Sequence, residues 1–412
     1  MGLDEGGRSG GSWTWPAGLT DGPSRTLLAS GELSWCYAYL DLRATSAGPP
    51  EAAAERFGAG PAGGEGLFVL GEALYSADGE DIAVLLDGAS GAVYLACPDE
   101  SGVLRRDLLA SSPHALIALA VVVEAVTLVA TGAYEREEGD EVAPYGPATV
   151  DAAVRLGLRE LREADPDLWQ RTDGRPAHWE TALRIRALAW GAEPRAADGA
   201  PYTVGPDLVE DLADLCGGGI VRRFLPDELP DRLVHTPTRQ LLTEVGLPVS
   251  CRGPLTVAAE GPLVTLAEAF PDAFADDVDD VDDGDEESTA RPYQGDYLAL
   301  GGWTYDLEAA LDGATGRIEL PDWHDEDQPA PYLHRDLATL LHVLWAFERL
   351  RAERRRSTVL SAPSPWAVFR PRDLLDSVAE PVLRALDPQA WATEDQFWPT
   401  RAEDCHMGEL IE

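Results

Sequence analysis

The sequence contains no lysine: all 32 of its basic residues are arginine. That absence excludes a lysine Schiff base, the phosphate-gripping lysine of a P-loop and the nucleotide-binding lysine of a kinase. Basic charge of any kind is scarce, because 73 Asp and Glu residues stand against those 32 and the formal net charge is −41. A polyanion of this size repels a nucleic-acid backbone over the Debye length of about 10 Å, and no Arg-rich stripe offers a local exception. Cysteine is sparse too. Five residues, Cys36, Cys97, Cys216, Cys251 and Cys405, make an odd number with no CxxC pair, which is easiest to fit to a reduced, cytoplasmic chain. The single long apolar run, residues 114–130, carries Glu124 near its middle and is shorter than the roughly 20 residues of a membrane span, so it reads as a buried core helix. No charged-then-apolar signal opens the chain, and residues 1–13 read as a flexible tail.

What is present is a phrase written twice. Residues 85–95, LLDGASGAVYL, return as ALDGATGRIEL at 310–320. Three further landmarks recur in the same order: Pro23, Arg25, Leu27 and Leu28 against Pro237, Arg239, Leu241 and Leu242 upstream; a long apolar helix after each hairpin; and Asp165-Pro166 with Trp169 against Asp387-Pro388 with Trp391 downstream. The interval from hairpin Asp to Asp-Pro is 78 residues in the first copy (165 minus 87) and 75 in the second (387 minus 312). Upstream, the interval from Arg to hairpin Asp is 62 residues against 73, and the extra 11 fall where the second copy carries DDVDDVDDGDEE, residues 276–287. Four landmarks in register point to a tandem duplication.

Each copy reads as a helix near the P-x-R-x-L-L landmark, short strands including the Asp-Gly hairpin, then helices. The fold class expected is α+β, two tandem domains, each a mainly antiparallel sheet covered by helices on one side. Strand signals are clear at 67–70, 82–86 and 92–96, and again at 297–300, 305–310 and 317–320; in the second copy Leu337, Leu340, Leu341, Leu344 and Phe347 form a helical stripe. The expected organisation is a tail over 1–13, a first, degenerate domain over 14–195, a linker over 196–205 within the Gly/Pro/Ala-rich stretch 190–205, and a second domain over 206–412.

The phrases RFLPDELPDRLVHTPTRQLLTEVGLP and YLALGGWTYDLEAALDGATGRIEL, then a long helix and the tail LDPQAWATEDQFWPTRAED, resemble the SUKH superfamily of bacterial immunity proteins. The likeness is clearest over residues 220–412. It implies a twisted antiparallel sheet with packed helices, no catalysis and no cofactor, and a role in binding and neutralising a toxin of a polymorphic toxin system, such as a nuclease or deaminase. The family has no catalytic residues to carry over. The alternative class is a non-enzymatic scaffold or regulatory protein that binds basic host proteins.

Enzyme motifs do not survive inspection. GAGPAG, residues 58–63, satisfies G-x-G-x-x-G only formally, since Pro61 interrupts it and a strand follows. His178-Trp179-Glu180 lacks the P-C-x-x-C of the zinc deaminases and reads as structural. His324, Asp325, Asp327, His334, Asp336 and His342 have no fixed metal spacing, and the stretch reads as a solvated acidic loop. Cys405-His406 shows no orienting partner. Nine of the twelve residues of 276–287 are acidic without EF-hand phasing; this run reads as a self-repelling loop or as a docking element for a basic partner. Aromatic residues beside acid mark the expected partner-binding set: Trp303, Tyr305 and Trp323, with Asp325, Glu326 and Asp327, and Asp279, Asp280, Asp282 and Asp283 from the run. The partner expected is a protein toxin domain with a basic surface, not a nucleic acid and not a membrane.

Overall fold

The computed structural model describes residues 14–33, 36–43, 48–58, 63–75, 82–130, 145–170, 177–189, 203–249, 254–274, 292–321, 331–360, 367–403 and 410–411. The chain forms two compact units, the first built from residues 1–140, 151–187 and 357–377, the second from 141–150, 188–356 and 378–412. Each has its own antiparallel sheet, and the class is α+β.

Unit 1 opens with α1 (Gly22–Ser30), whose start is fixed by the Asp21 side chain accepting from Ser24 N at 2.8 Å and whose end is closed by Gly31 in the left-handed region. This N-cap and C-cap chemistry is what the sequence Asp-Gly-Pro-Ser and a terminal Gly supply. The sheet is a meander in chain order, β1 (Cys36–Tyr37), β2 (Leu40–Asp41), β3 (Leu67–Ala73), β4 (Ala83–Asp87), β5 (Val93–Pro98) and β6 (Leu104–Ala110), every neighbour antiparallel. Ala83, Val84, Leu85 and Leu86 are all buried, so the central strand is covered on both faces, not on one. One face holds Leu67, Ala83, Leu85, Ala96 and Leu104 under Ala53 of α2 (Ala53–Arg56), with Phe57 and Val69 against them. Strand alternation sends Val84 and Leu86 to the other face. The apolar run forms α3 (Pro113–Ala130), with Leu116, Leu119, Ala120, Val123 and Val126 buried. Glu124 accepts from Ala38 N at 2.9 Å and lies 3.4 Å from Arg186, which accounts for a carboxylate in so apolar a helix. Among the described residues no helix is long and apolar enough to cross a membrane. Then come α4 (Pro147–Ala164), α5 (Pro166–Gln170) and α6 (Ala177–Ala189).

In unit 2, α7 (Pro206–Leu215) precedes the two-stranded pair β7 (Val221–Arg222) and β8 (Leu247–Pro248), between which lies α8 (Thr236–Gln240). The main sheet runs β13-β12-β11-β10-β9, from β9 (Leu255–Thr256) through β10 (Leu298–Trp303), β11 (Leu307–Leu311) and β12 (Ile318–Glu319) to β13 (Tyr332–His334). A short α9 (Leu266–Ala269) sits between β9 and β10; then come α10 (Leu337–Leu360) and α11 (Pro371–Leu386), whose residues 357–360 and 371–377 belong to unit 1, and α12 (Phe397–Glu403). The expected stripe of α10 is wider than the sequence suggests: Val343, Trp345 and Ala346 are buried along with the leucines and Phe347, so the middle of the helix is enclosed all round.

The repeated landmarks have repeated jobs. The Gly88 carbonyl accepts from Thr20 N at 2.7 Å and Asp21 N at 2.8 Å; the Gly313 carbonyl accepts from Val234 N at 2.9 Å and His235 N at 3.0 Å. A Cβ on Gly88 would stand 2.5 Å from the Gly18 carbonyl oxygen, and one on Gly313 would stand 2.7 Å from that of Arg232. The glycine after each hairpin Asp is therefore a docking point for the segment leading into α1 or α8. The positive-φ turn position belongs instead to Gly91 (77°) and Gly316 (83°). Arg25 Nε donates to Leu19 O at 2.6 Å, and Arg239 Nη1 donates to Pro230 O and Leu233 O at 3.2 and 3.3 Å. The leucines that follow, Leu27 and Leu28, Leu241 and Leu242, are buried, each contributing about 2 kcal/mol of transfer free energy.

Candidate functional site

Unit 2 brings part of the expected partner-binding set together at the turn between β10 and β11. Trp303 ends β10, paired with Leu307 and Leu255. Its ring meets Phe397 edge-on at 5.4 Å and Trp398 at 6.4 Å, and it is only 4% exposed. Its side chain belongs to the core, where it supports the turn from beneath. Tyr305 is exposed, and it and Asp306 both adopt left-handed backbone, φ 70° and 60°. Such conformations cost on the order of 1–3 kcal/mol each and persist only where the surroundings impose them. Here the surroundings are visible: the Tyr305 ring lies 6.2 Å from Phe397, and Phe397 lies 5.3 Å from Trp398.

The segment that leads into Phe397 is acidic. Glu394 and Asp395, exposed and just ahead of it in the chain, sit on a loop that is pinned, because Gln396 Oε1 accepts from Ala392 N at 2.7 Å and Thr393 N at 3.2 Å. The result is an exposed aromatic ring on a fixed backbone with Asp306 beside it and Glu394 and Asp395 along the adjoining loop. An exposed aromatic ring beside carboxylates has the chemistry to meet a cationic or aromatic group. Sequence reasoning placed Tyr305 here but missed its packing against Phe397 and the acidic segment ahead of that residue. The signal available was the Phe397-Trp398 pair of the tail. Trp323, Asp325, Glu326, Asp327, Asp279, Asp280, Asp282 and Asp283, and the whole run 276–287, lie outside the described residues.

Beneath this surface is a buried polar network. Trp398 Nε1 donates to His334 Nε2 at 3.2 Å, so His334 carries its proton on Nδ1 and donates it to Asp387 Oδ2 at 2.9 Å; Tyr332 donates to both Asp387 oxygens at 3.2 Å. Burial and the Asp387 charge push the Tyr332 phenol well above its ordinary range. His334 is fully buried in β13, so this end of the expected solvated acidic loop is core. The downstream Asp-Pro of unit 1 has a parallel duty: Asp165 accepts from Ser111 N at 2.7 Å and from Leu168 N at 3.1 Å.

His178, the false deaminase motif, is also core. Its Nε2 donates to Ala38 O at 3.1 Å, so Nδ1 accepts from Tyr75 Oη at 2.7 Å. Burial lowers the imidazole from 6.5 to about 3. Trp179 Nε1 donates to Leu109 O at 2.7 Å. Phe369 stands edge-on to Tyr75 at 5.6 Å and to His178 at 5.4 Å, while Asp107 accepts from Val368 N and Phe369 N at 2.7 and 2.8 Å; burial raises the Asp107 carboxyl.

A cleft in unit 2 is lined in part by His235, Gln240, Glu244 and Asp336. His235 Nδ1 is 2.7 Å from Thr238 Oγ1, and Asp336 Oδ1 accepts from Thr339 N and Oγ1, both at 2.8 Å, at the start of α10. These two polar groups are committed to local structure. His342 stacks on Tyr145 at 5.6 Å. Among the described residues no group of three His, Cys, Asp or Glu side chains is placed to hold a metal ion.

Residues 208–404 match the family model of the SUKH-4 immunity proteins. The matched segment covers 197 residues (404 minus 208 plus 1) of the chain's 412. With its α+β architecture, the chain is consistent with a SUKH superfamily immunity protein. No curated protein and no solved structure matches it.

Proposed function

We propose that the chain is a cytoplasmic immunity protein that neutralises a protein toxin of a polymorphic toxin system by stoichiometric binding, without turnover. The match of residues 208–404 to the SUKH-4 immunity family carries this reading. The β10–β11 turn supports it, offering an aromatic anchor among acids of the kind that dominates interface energetics. A standard interface of about 1,600 Å² suffices to occlude an active site. The partner surface is basic: a net charge of −41 steers cationic partners and repels nucleic acid. A nuclease or deaminase, whose substrate is itself a polyanion, fits this complementarity. In that case the acidic run 276–287 competes as a phosphate mimic.

The reading includes a tandem duplication, supported by the matching Gly88 and Gly313 docking points, the Arg25 and Arg239 braces and the Asp165 and Asp387 anchors. In vitro neutralisation of the toxin domain encoded beside this gene tests the function. Tyr305→Ala is expected to weaken binding about tenfold or more while leaving the thermal midpoint within a few degrees. Unchanged affinity removes Tyr305 from the interface. Deletion of 276–287 is expected to lower the association rate at low salt and to matter little at high salt; equal rates at low salt dispose of the mimic.

A further inference from the structure

A second surface of unit 2 combines apolar side chains and acid in a way the Tyr305 turn does not. Val234 is 64% exposed, Phe270 45% and Tyr293 50%. Scattered apolar residues are ordinary on a protein surface, but these three emerge from segments tied into one knot. Leu266 N donates to Tyr297 O at 2.8 Å and Ala299 N to Val264 O at 3.0 Å, which fastens α9 along the start of β10. A Cβ on Gly295 would touch Phe274 at 3.2 Å and Ala267 at 3.4 Å, so the turns that carry Phe270 and Tyr293 are packed on each other. Tyr293 meets Tyr297 edge-on at 5.8 Å. From the other side Arg232, two residues before Val234, donates to the Asp296 carboxylate; hydrogen bonds from the Thr265 backbone and side chain, and to a smaller extent the Arg232 charge, hold Glu268 below the usual carboxylate range.

Among the described residues of these segments, 231–234, 266–274 and 293–297, the exposed ionisable groups are Asp231, Glu268, Asp272 and Asp296, with Arg232, which is paired to Asp296, as the cation. Tyr297, in the same knot, is pushed up to about 12, first by burial and then by Glu319, Asp312 and Tyr293.

We propose that the surface carrying Val234, Phe270 and Tyr293 is a protein-docking face whose occupant is a basic surface of the toxin with apolar side chains at its centre. Charge complementarity selects that partner. An anionic membrane or a nucleic acid would bring phosphate against four carboxylates, and a second copy of this face would set acid against acid. An apolar centre inside a charged rim is the usual anatomy of a specific interface. The inference rests on the toxin-binding reading, adding a second contact face to the Tyr305 turn.

The test is a titration of the full chain against the catalytically inactivated toxin domain encoded beside this gene, at low and high salt. The proteins compared are the wild type, the triple variant Val234→Ser, Phe270→Ser and Tyr293→Ser, and a charge variant, Asp231→Asn with Asp272→Asn. All five positions are exposed, and each variant is first checked for an unchanged thermal midpoint. The triple variant is expected to bind about tenfold or more weakly at both salts, and the charge variant to lose affinity at low salt only. Wild-type affinity in the triple variant overturns this face while leaving toxin binding intact. Absence of binding by the wild type overturns both this face and the functional reading beneath it.

Discussion

At the scale of single residues, His178 makes the sharpest statement. Its imidazole is buried neutral and its folded-state value is about 3, against 6.5 for the free side chain. An unfolded chain therefore binds a proton below about pH 6.5 that the folded chain refuses until about pH 3. The sign follows: this group leaves stability untouched above pH 6.5 and lowers it as the pH falls. By pH 5 the loss is about 2 kcal/mol, at 1.36 kcal/mol per unit. Thermal melts of the wild type and His178→Asn between pH 7 and pH 5 check this. The variant is expected to start lower and to fall less steeply, and parallel slopes would refute the assignment. Asp387 acts through hydrogen bonds to Tyr332 and His334. Asp387→Ala leaves both without their acceptor and is expected to cost about 3 kcal/mol, read as a shift in urea midpoint.

At the scale of elements, the two sheets share a device. β3 is bulged between Val69 and Gly71, and β10 between Ala299 and Gly301. A Cβ on Gly71 would stand 1.9 Å from the Asp41 carbonyl oxygen, and one on Gly301 would stand 2.4 Å from that of Thr256. Gly71→Ala and Gly301→Ala are each expected to cost about 2 kcal/mol or more, since backbone must move. A loss below about 0.5 kcal/mol, the size of an ordinary surface substitution, would mean the bulged strands yield to a methyl group without cost. Elements with strong local signals were legible: the hairpin strands, the apolar run that became α3 and the landmark helices follow from alternation, periodicity and capping residues. Others were not. β6 carries Arg105, Arg106 and Asp107 in its middle, so its alternation is broken. β1, β2, β9 and β13 are two or three residues long and exist only by pairing with neighbours. The enclosure of α10 depends on partners distant in sequence. In the candidate site, Tyr305 was legible as an aromatic beside acid. Trp303 looked equivalent to it, because no local pattern says which way a tryptophan at a strand end faces.

At the scale of the whole chain, residues 357–377 belong to unit 1 although they lie beyond most of unit 2 in sequence. Their Phe369 stands against Tyr75 and His178, and their backbone satisfies Asp107. A fragment ending at residue 195 lacks these contacts and is expected to lose the cooperative melt of unit 1; a sharp transition in the fragment would show that 357–377 is dispensable. The central claim is stoichiometric neutralisation of a basic toxin by an acidic, two-unit immunity protein. Its most direct measurement is a calorimetric titration of the full chain into the toxin domain encoded beside this gene, with residual toxin activity followed in the same samples. The account expects saturation at one to one, affinity that falls with salt, and activity that disappears in proportion to the complex formed. No heat and no inhibition at any salt, or inactivation by far less than one equivalent, would contradict it.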